Sequence, residues 1–236
     1  MRLVFIDETG DQEQKDYLGF CIATVDGRFY PLLKRKAHSI LKAAGWDPAV
    51  EFKGHYLFSA SKGCSTVPVD TRVEAAGRLL DLNSASQNSR MYFHYGRLSS
   101  ANPAADYMRL VPPLLNRALS RAPTGAGKNL ISVVCDERSD ISRSALHAAI
   151  DTVVKKKGFV LLENVIVAHS TYDTIGLMFA DLVAYLAARV DTIASDVELV
   201  HGLTPEQIQS NGKLRKLQSS RALIDRIKNL TLYTGT

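Results

Sequence analysis

Four apolar residues, Leu3 to Ile6, run unbroken into Asp7, Glu8, Thr9, Gly10 and Asp11. A short continuous apolar run that stops at a turn signal reads as a buried strand, here 2–7. A second run, "YLGFCIATVD" at 17–26, ends on Asp26-Gly27, a hairpin signal leading into "RFYPLL" at 28–33 as the expected third strand. Together these segments predict an opening antiparallel meander. The period then changes. "LLKRKAHSILKAAG" spaces Leu33, Ala37, Ile40 and Leu41 as one helical face, with Gly45 as its stop. "VDTRVEAAGRLLDLNS" repeats the pattern through Val73, Ala76, Leu79 and Leu80, with Asp70 or Thr71 as the expected cap.

Beyond residue 90 strands and helices alternate. "RMYFHYGRL" is strand-like, and "ADYMRLVPPLLNRALSRA" is helical with an interruption or restart at Pro112-Pro113. "NLISVVCDE" is a second apolar strand finishing in acid, at Asp136 and Glu137. A helix over "RSALHAAIDTVVKKKG" and one long or two short strands in "FVLLENVIVAHS" follow. "TIGLMFADLVAYLAARVDTIA" is an apolar helix with one acid, Asp181, at its middle. The economical reading is a single α/β domain with a mixed sheet over 1–192. Residues 193–236 form a basic helical extension of that domain, open to a protein partner.

Composition narrows the class without naming it. The chain has 236 residues, 46% of them hydrophobic and 22% charged, enough for a sizeable core. No apolar run approaches the roughly 20 residues of a membrane span, and the N-terminus lacks signal-peptide character, so a cytoplasmic protein is expected. Cys21, Cys64 and Cys135 are scattered, without zinc-like spacing. A net charge of +5 is compatible with a polyanionic partner. The basic runs "LKRK" (33–36), "KKK" (155–157) and "KLRK" (213–216) are candidate backbone contacts, although such runs are more often solvated faces.

Several motifs drop out on chemistry. "APTGAGKN" imitates a phosphate loop, but Ala122 replaces the first glycine and Asn129 the magnesium-binding hydroxyl, and the order is helix, loop, strand. There is no G-x-S-x-G elbow for a serine hydrolase. A dehalogenase-type phosphatase needs a second Asp where Thr9 stands. Of six histidines only His55 and His169 lie near acidic candidates.

The carboxylates carry more. Asp7 and Asp136 each end an apolar strand, at the edge where α/β sheets bind ligands. Asp181 sits among Leu177, Met178, Leu182 and Tyr185 at helical spacing, and a buried carboxylate needs a partner: an Arg, a helix N-terminus or a metal. Converging carboxylates form an all-oxygen site suited to Mg²⁺ or Mn²⁺. Two such ions about 4 Å apart can cleave a phosphodiester. The order Asp7, Glu51, Asp136, Asp181 lies on a ribonuclease H-like plan: an opening meander bearing an Asp, further acids, and a late helix bearing the last one.

"FIDETGD", "EFKG", "VVCDE" and "HSTYDTIGLMFADLVAY" together resemble the bacterial and phage domain-of-unknown-function family 3800, over roughly residues 3–190. The resemblance implies a ribonuclease H-like fold and a metal-dependent nuclease acting on DNA or RNA. It implies Asp7, Glu51, Asp136 and Asp181 as catalytic and metal-binding acids, with Glu8 and Lys53 as accessories. Met178 departs from the glutamine common in that motif, which removes an amide contact. The alternative is a non-catalytic nucleic-acid-binding or partner-docking subunit on the same scaffold.

Overall fold

The computed structural model describes residues 1–10, 17–58, 66–84, 90–99, 103–120, 129–138, 140–169, 171–198, 203–228, 230 and 232–235. Residues 122–128 of the "APTGAGKN" segment, Asp11 and Cys64 lie outside these residues. The strands are β1 (Arg2–Gly10), β2 (Tyr17–Asp26), β3 (Tyr92–Ser99), β4 (Leu130–Asp136), β5 (Val160–Leu161), β6 (Ile166–Ala168) and β7 (Leu232–Gly235). The helices are α1 (Tyr30–Ala43), α2 (Val69–Asp81), α3 (Pro103–Ser120), α4 (Arg143–Lys156), α5 (Ile175–Glu198), α6 (Pro205–Gln209) and α7 (Gly212–Lys228).

One seven-stranded mixed sheet runs in the order β5-β4-β1-β2-β3-β7, with β6 also pairing β4. β1, β2 and β3 are antiparallel neighbours, and β4 lies parallel to β1 on the other side. This is the ribonuclease H-like arrangement, an antiparallel meander continued by parallel strands and flanked by helices. The period-2 alternation of β1 divides the core. Phe5 joins α1, α2, α5 and α7 residues in one apolar cluster, whereas Val4 and Ile6 join α3 and α4 residues in the other. Asp7 shares the Phe5 face and Glu8 the Ile6 face.

Residues 28–33 are not a strand. The Asp26 carboxylate accepts bonds from the Arg28 backbone N–H at 2.9 Å and its guanidinium at 2.8 Å, closing a turn. α1 begins at Tyr30, with Pro31 in its first turn, where a fixed φ and a missing N–H are no handicap. The third strand of the meander is therefore β3, reached only after α1 and α2. Pro68, and not Asp70 or Thr71, precedes α2 at its cap, without a side-chain bond. α3 runs continuously through Pro112 and Pro113. α7 buries Leu217, Leu223, Ile224 and Ile227 and packs on α2 and α5, so that its apolar face is taken. β7 then pairs parallel to β3.

α5 lies unusually close to β1. A Cβ at Gly176 would fall 2.3 Å from the Phe5 ring, and Phe5 is itself stacked on Tyr30 at 5.2 Å. Gly176→Ala is expected to cost about 2–3 kcal/mol through overpacking. The midpoint of urea unfolding should fall at an unchanged m-value; an unshifted midpoint would mean that α5 is free to ride up. Among the described residues no helix is long and apolar enough to cross a membrane.

Candidate metal centre

Parallel pairing of β1 and β4 matches Ile6 with Cys135, so the next residues, Asp7 and Asp136, lie side by side just past the last paired rung. Asp136 ends β4, whereas β1 does not stop at residue 7 as expected but runs on to Gly10, paired with β2. Neighbouring strands lie about 4.8 Å apart. Alternation puts both acids on the α5 face, because their predecessors Ile6 and Cys135 are buried in the opposite cluster. Gly176 lets α5 press on β1 and brings Asp181 over the same pair of acids. The third element is the extended segment 51–53, which leads into a short 3₁₀ turn at Gly54–Tyr56.

Gly54 is a built feature of that turn. A Cβ there would meet Tyr185 of α5 at 2.5 Å, and the Gly54 N–H donates to Asp181 Oδ2. The buried-side acid on α5 thus has a main-chain amide as its partner, not an arginine. Tyr185 in turn accepts a bond on its hydroxyl from Arg189 Nη1 at 2.7 Å. Lys53 Nζ lies 3.0 Å from Glu51 Oε2.

The acids perturb one another. Asp7 is 3% exposed; burial, then Asp181, Asp136 and Glu8, raise its pKa well above the carboxylate range, although its Oδ1 accepts the Glu8 N–H at 2.8 Å. Burial lifts Asp181 to about 6, against the pull of the Gly54 amide and Lys53, with Asp136 and Glu51 adding to the rise. Asp136 is raised too, by burial first, with Lys53 opposing. Burial alone would lower the Lys53 pKa, but Glu51, Asp136 and Asp181 hold it above its usual value. Asp136 Oδ1 is buried without a hydrogen-bond partner among the described residues.

Glu8 faces the opposite side of the sheet, where Arg138 Nη1 donates to its Oε1 at 2.8 Å. Arg138 also bonds Asp140 and sits 5.2 Å from the Tyr107 ring centre. Burial still raises Glu8 to about 7 in spite of this cation. Arg138 is a residue that strand and helix patterning passed over; its only signal is the charge alternation in "CDERSD" after β4. Arg138→Met is expected to cost about 1 kcal/mol more at pH 8 than at pH 5, because Glu8 without its cation stays protonated above the value near 7 at which it ionises in the parent. At pH 5 Glu8 is protonated with or without Arg138, so the loss should shrink. Equal losses at both pH values, read from denaturant midpoints, would break this link.

The structure therefore gathers Asp7, Asp136, Asp181, Glu51 and Lys53 on one face, and sets Glu8 behind it. His169 reaches Glu137 at 2.9 Å on the rim beside Asp136. Met178 is 1% exposed within the α5 cluster, so the position where glutamine was expected belongs to core packing in this chain. The all-oxygen donor set, mutual repulsion and the orphaned Asp136 Oδ1 suit a hard divalent cation. Among the described residues no three His, Cys, Asp or Glu side chains close to the spacing that holds one ion. The donors fit in kind and charge, and their spacing is wider than a ligated centre requires.

Fold and site together define an α/β protein of ribonuclease H-like architecture with a carboxylate-rich sheet edge. No protein-family model matches the chain, and no curated protein matches it. It is similar to the ribonuclease HII of Archaeoglobus fulgidus, solved in complex with PCNA, at 11% identity and a TM-score of 0.42, covering 94% of this chain and 91% of that one. It is also similar to the ribonuclease H2 of Pyrococcus horikoshii OT3, at 13% identity and a TM-score of 0.41, covering 97% and 99%. Both likenesses are weak, and the assignment of architecture stands on the strand order itself.

Proposed function

We propose that this chain is a divalent-metal-dependent nuclease that hydrolyses phosphodiester bonds in DNA or RNA, and that it belongs to the family 3800 group its motifs resemble. The observation that carries the reading is the juxtaposition of Asp7 and Asp136, just past the last rung between the parallel strands β1 and β4, with Asp181 facing them from α5. A buried Asp7 crowded by two half-buried carboxylates is costly unless something cationic shares the site.

Asp7, Asp136 and Asp181, with Glu51, would hold Mg²⁺ or Mn²⁺. When bound, such an ion lowers the pKa of a water and steadies the developing charge on the leaving oxygen. The remaining work falls to the protein. The Gly54 N–H fixes the orientation of Asp181. Lys53 supplies a cation at the mouth, where a scissile phosphate would need one, once Glu51 turns toward the metal. β1 and β4 hold Asp7 and Asp136 on rigid strands, which limits the reorganisation a reaction would require.

The test is incubation of purified protein with labelled single- and double-stranded DNA, RNA and RNA–DNA hybrid, with Mn²⁺ or Mg²⁺ and with EDTA. Cleavage that needs the metal and is lost in Asp136→Asn supports the reading. Cleavage that survives EDTA, or binding without any cleavage under every condition, would replace it; the latter outcome is the docking-subunit alternative.

A further inference from the structure

The "LKRK" run divides once it is folded. Leu33 is buried in the core, and Lys34 is held by the Asp173 carbonyl at 2.8 Å. Arg35 and Lys36 are exposed and make no ion pair among the described residues. They line one wall of an open hollow of about 520 Å³ between α1 and α2; Arg78, also exposed and without an ion pair among the described residues, comes from the α2 wall. Ile40 and Leu82 contribute its apolar lining. The single acid of the hollow, Asp81, is 3.2 Å from Arg226 of α7. That guanidinium cancels its charge and leaves the hollow positive.

Two lysines of the run at 155–157 have local partners. Lys155 pairs with Asp151 at 2.6 Å, and Lys157 donates to the Ser120 hydroxyl at 2.7 Å. The α1–α2 hollow is different, because cations from two helices face a concave opening whose one lining acid, Asp81, is already paired with Arg226. Guanidinium groups are planar forks that match phosphate oxygens, and a lysine adds a point charge. The hollow also belongs to the same side of the sheet as Asp7, since α1 and α2 cover the Phe5 face. α1 leads directly into the segment that carries Glu51 and Lys53.

We propose that the hollow between α1 and α2 is a second, non-catalytic contact for the phosphodiester backbone of a nucleic acid, gripped by Arg35, Lys36 and Arg78. The identity of the polyanion rests on the nuclease reading, but the grip itself is independent of cleavage. Phosphate contacts of this kind set position and register without reading bases. Three neutralised phosphates give a salt dependence that is readily measured.

The experiment is fluorescence anisotropy of a short labelled DNA duplex and of an RNA–DNA hybrid, in EDTA so that no cleavage occurs, across a salt series. The full-length parent is compared with Arg35→Ala/Lys36→Ala/Arg78→Ala and with a control, Lys155→Ala/Lys156→Ala. All these side chains except the partnered Lys155 are free of ion pairs among the described residues, and circular dichroism verifies that each variant is folded. The triple variant is expected to bind at least about tenfold more weakly, with a plot of log K against log[salt] shallower by about 2.7 on the duplex. The control should keep the parental slope. Equal affinity and slope in parent and triple variant would overturn the grip, as would a parent that binds neither probe. Binding of neither nucleic-acid probe, with labelled poly-glutamate bound by the parent and not by the triple variant, would assign the hollow to an acidic protein and overturn it too. Cleavage in the metal assay stands or falls separately.

Discussion

Asp7→Asn is expected to lower metal-dependent phosphodiester cleavage by about a thousandfold or more, equivalent to roughly 4 kcal/mol of lost transition-state stabilisation. Asp7 combines near-total burial with three carboxylate neighbours, so a cation in this centre would draw more on its charge than on any other. The amide keeps the shape and can still accept the Glu8 N–H, so the fold should survive. Removal of a like charge should also raise the thermal midpoint of the metal-free protein. Rate and midpoint moving in opposite directions is the signature; an active variant, or one that is merely less stable, would take Asp7 out of the centre.

Raising the pH in EDTA should destabilise the protein, and Mn²⁺ should reverse the effect. The sign follows from the direction of the shifts. Asp181 titrates near 6 and Glu8 near 7 in the folded state, above their ordinary carboxylate values. Between about pH 4 and 7 the native state therefore holds more protons than the unfolded one, and unfolding free energy falls as pH rises. The Asp181 shift alone represents at most about 3 kcal/mol, trimmed by its partial access to solvent. A drop in midpoint of about 6 °C from pH 5 to pH 8 is the corresponding scale. Asp26, held near 2 by its bonds from Arg28, acts in the opposite sense, but only below pH 4. Millimolar Mn²⁺ at pH 8 should recover the loss by preferential binding to the folded form. A midpoint that climbs with pH in EDTA, or ignores Mn²⁺, would contradict the origin of these shifts in the burial of the carboxylates.

Much of this architecture is legible in the chain because burial imposes period. β1, β2, β3 and β4 read as strands from their unbroken or alternating apolar runs, and α1, α2, α4 and α5 read from their apolar faces. "RFYPLL" misleads because its apolar residues fit either period over so short a span; Pro31, sitting in a first helical turn, decides the matter. "LYTG" of β7 has too few residues and no alternation, so only its pairing with β3 makes it a strand. Among the acids, Asp7 and Asp136 stand out because each follows an apolar strand, and Asp181 because it interrupts an apolar helix. The partner of Asp181 could not be read, since a backbone N–H carries no side-chain signature. Gly54 was visible only as the last letter of "EFKG", and its purpose becomes apparent when Tyr185 is seen to occupy the space of its missing Cβ.

The β1–β4 pairing has a kinetic consequence. Asp7 and Asp136 become neighbours only when two segments far apart in sequence lie parallel, and such non-local pairing is slow because loop-closure entropy is lost before contacts compensate. The last rungs of that pair are where the carboxylates crowd. The strands should zip from their apolar rungs, Val4 with Val133 and Phe5 with Val134, toward the acids, with the charged terminus closing late. A divalent cation present during refolding would then act on the order of assembly, easing the final closure of the ladder before any substrate has been met.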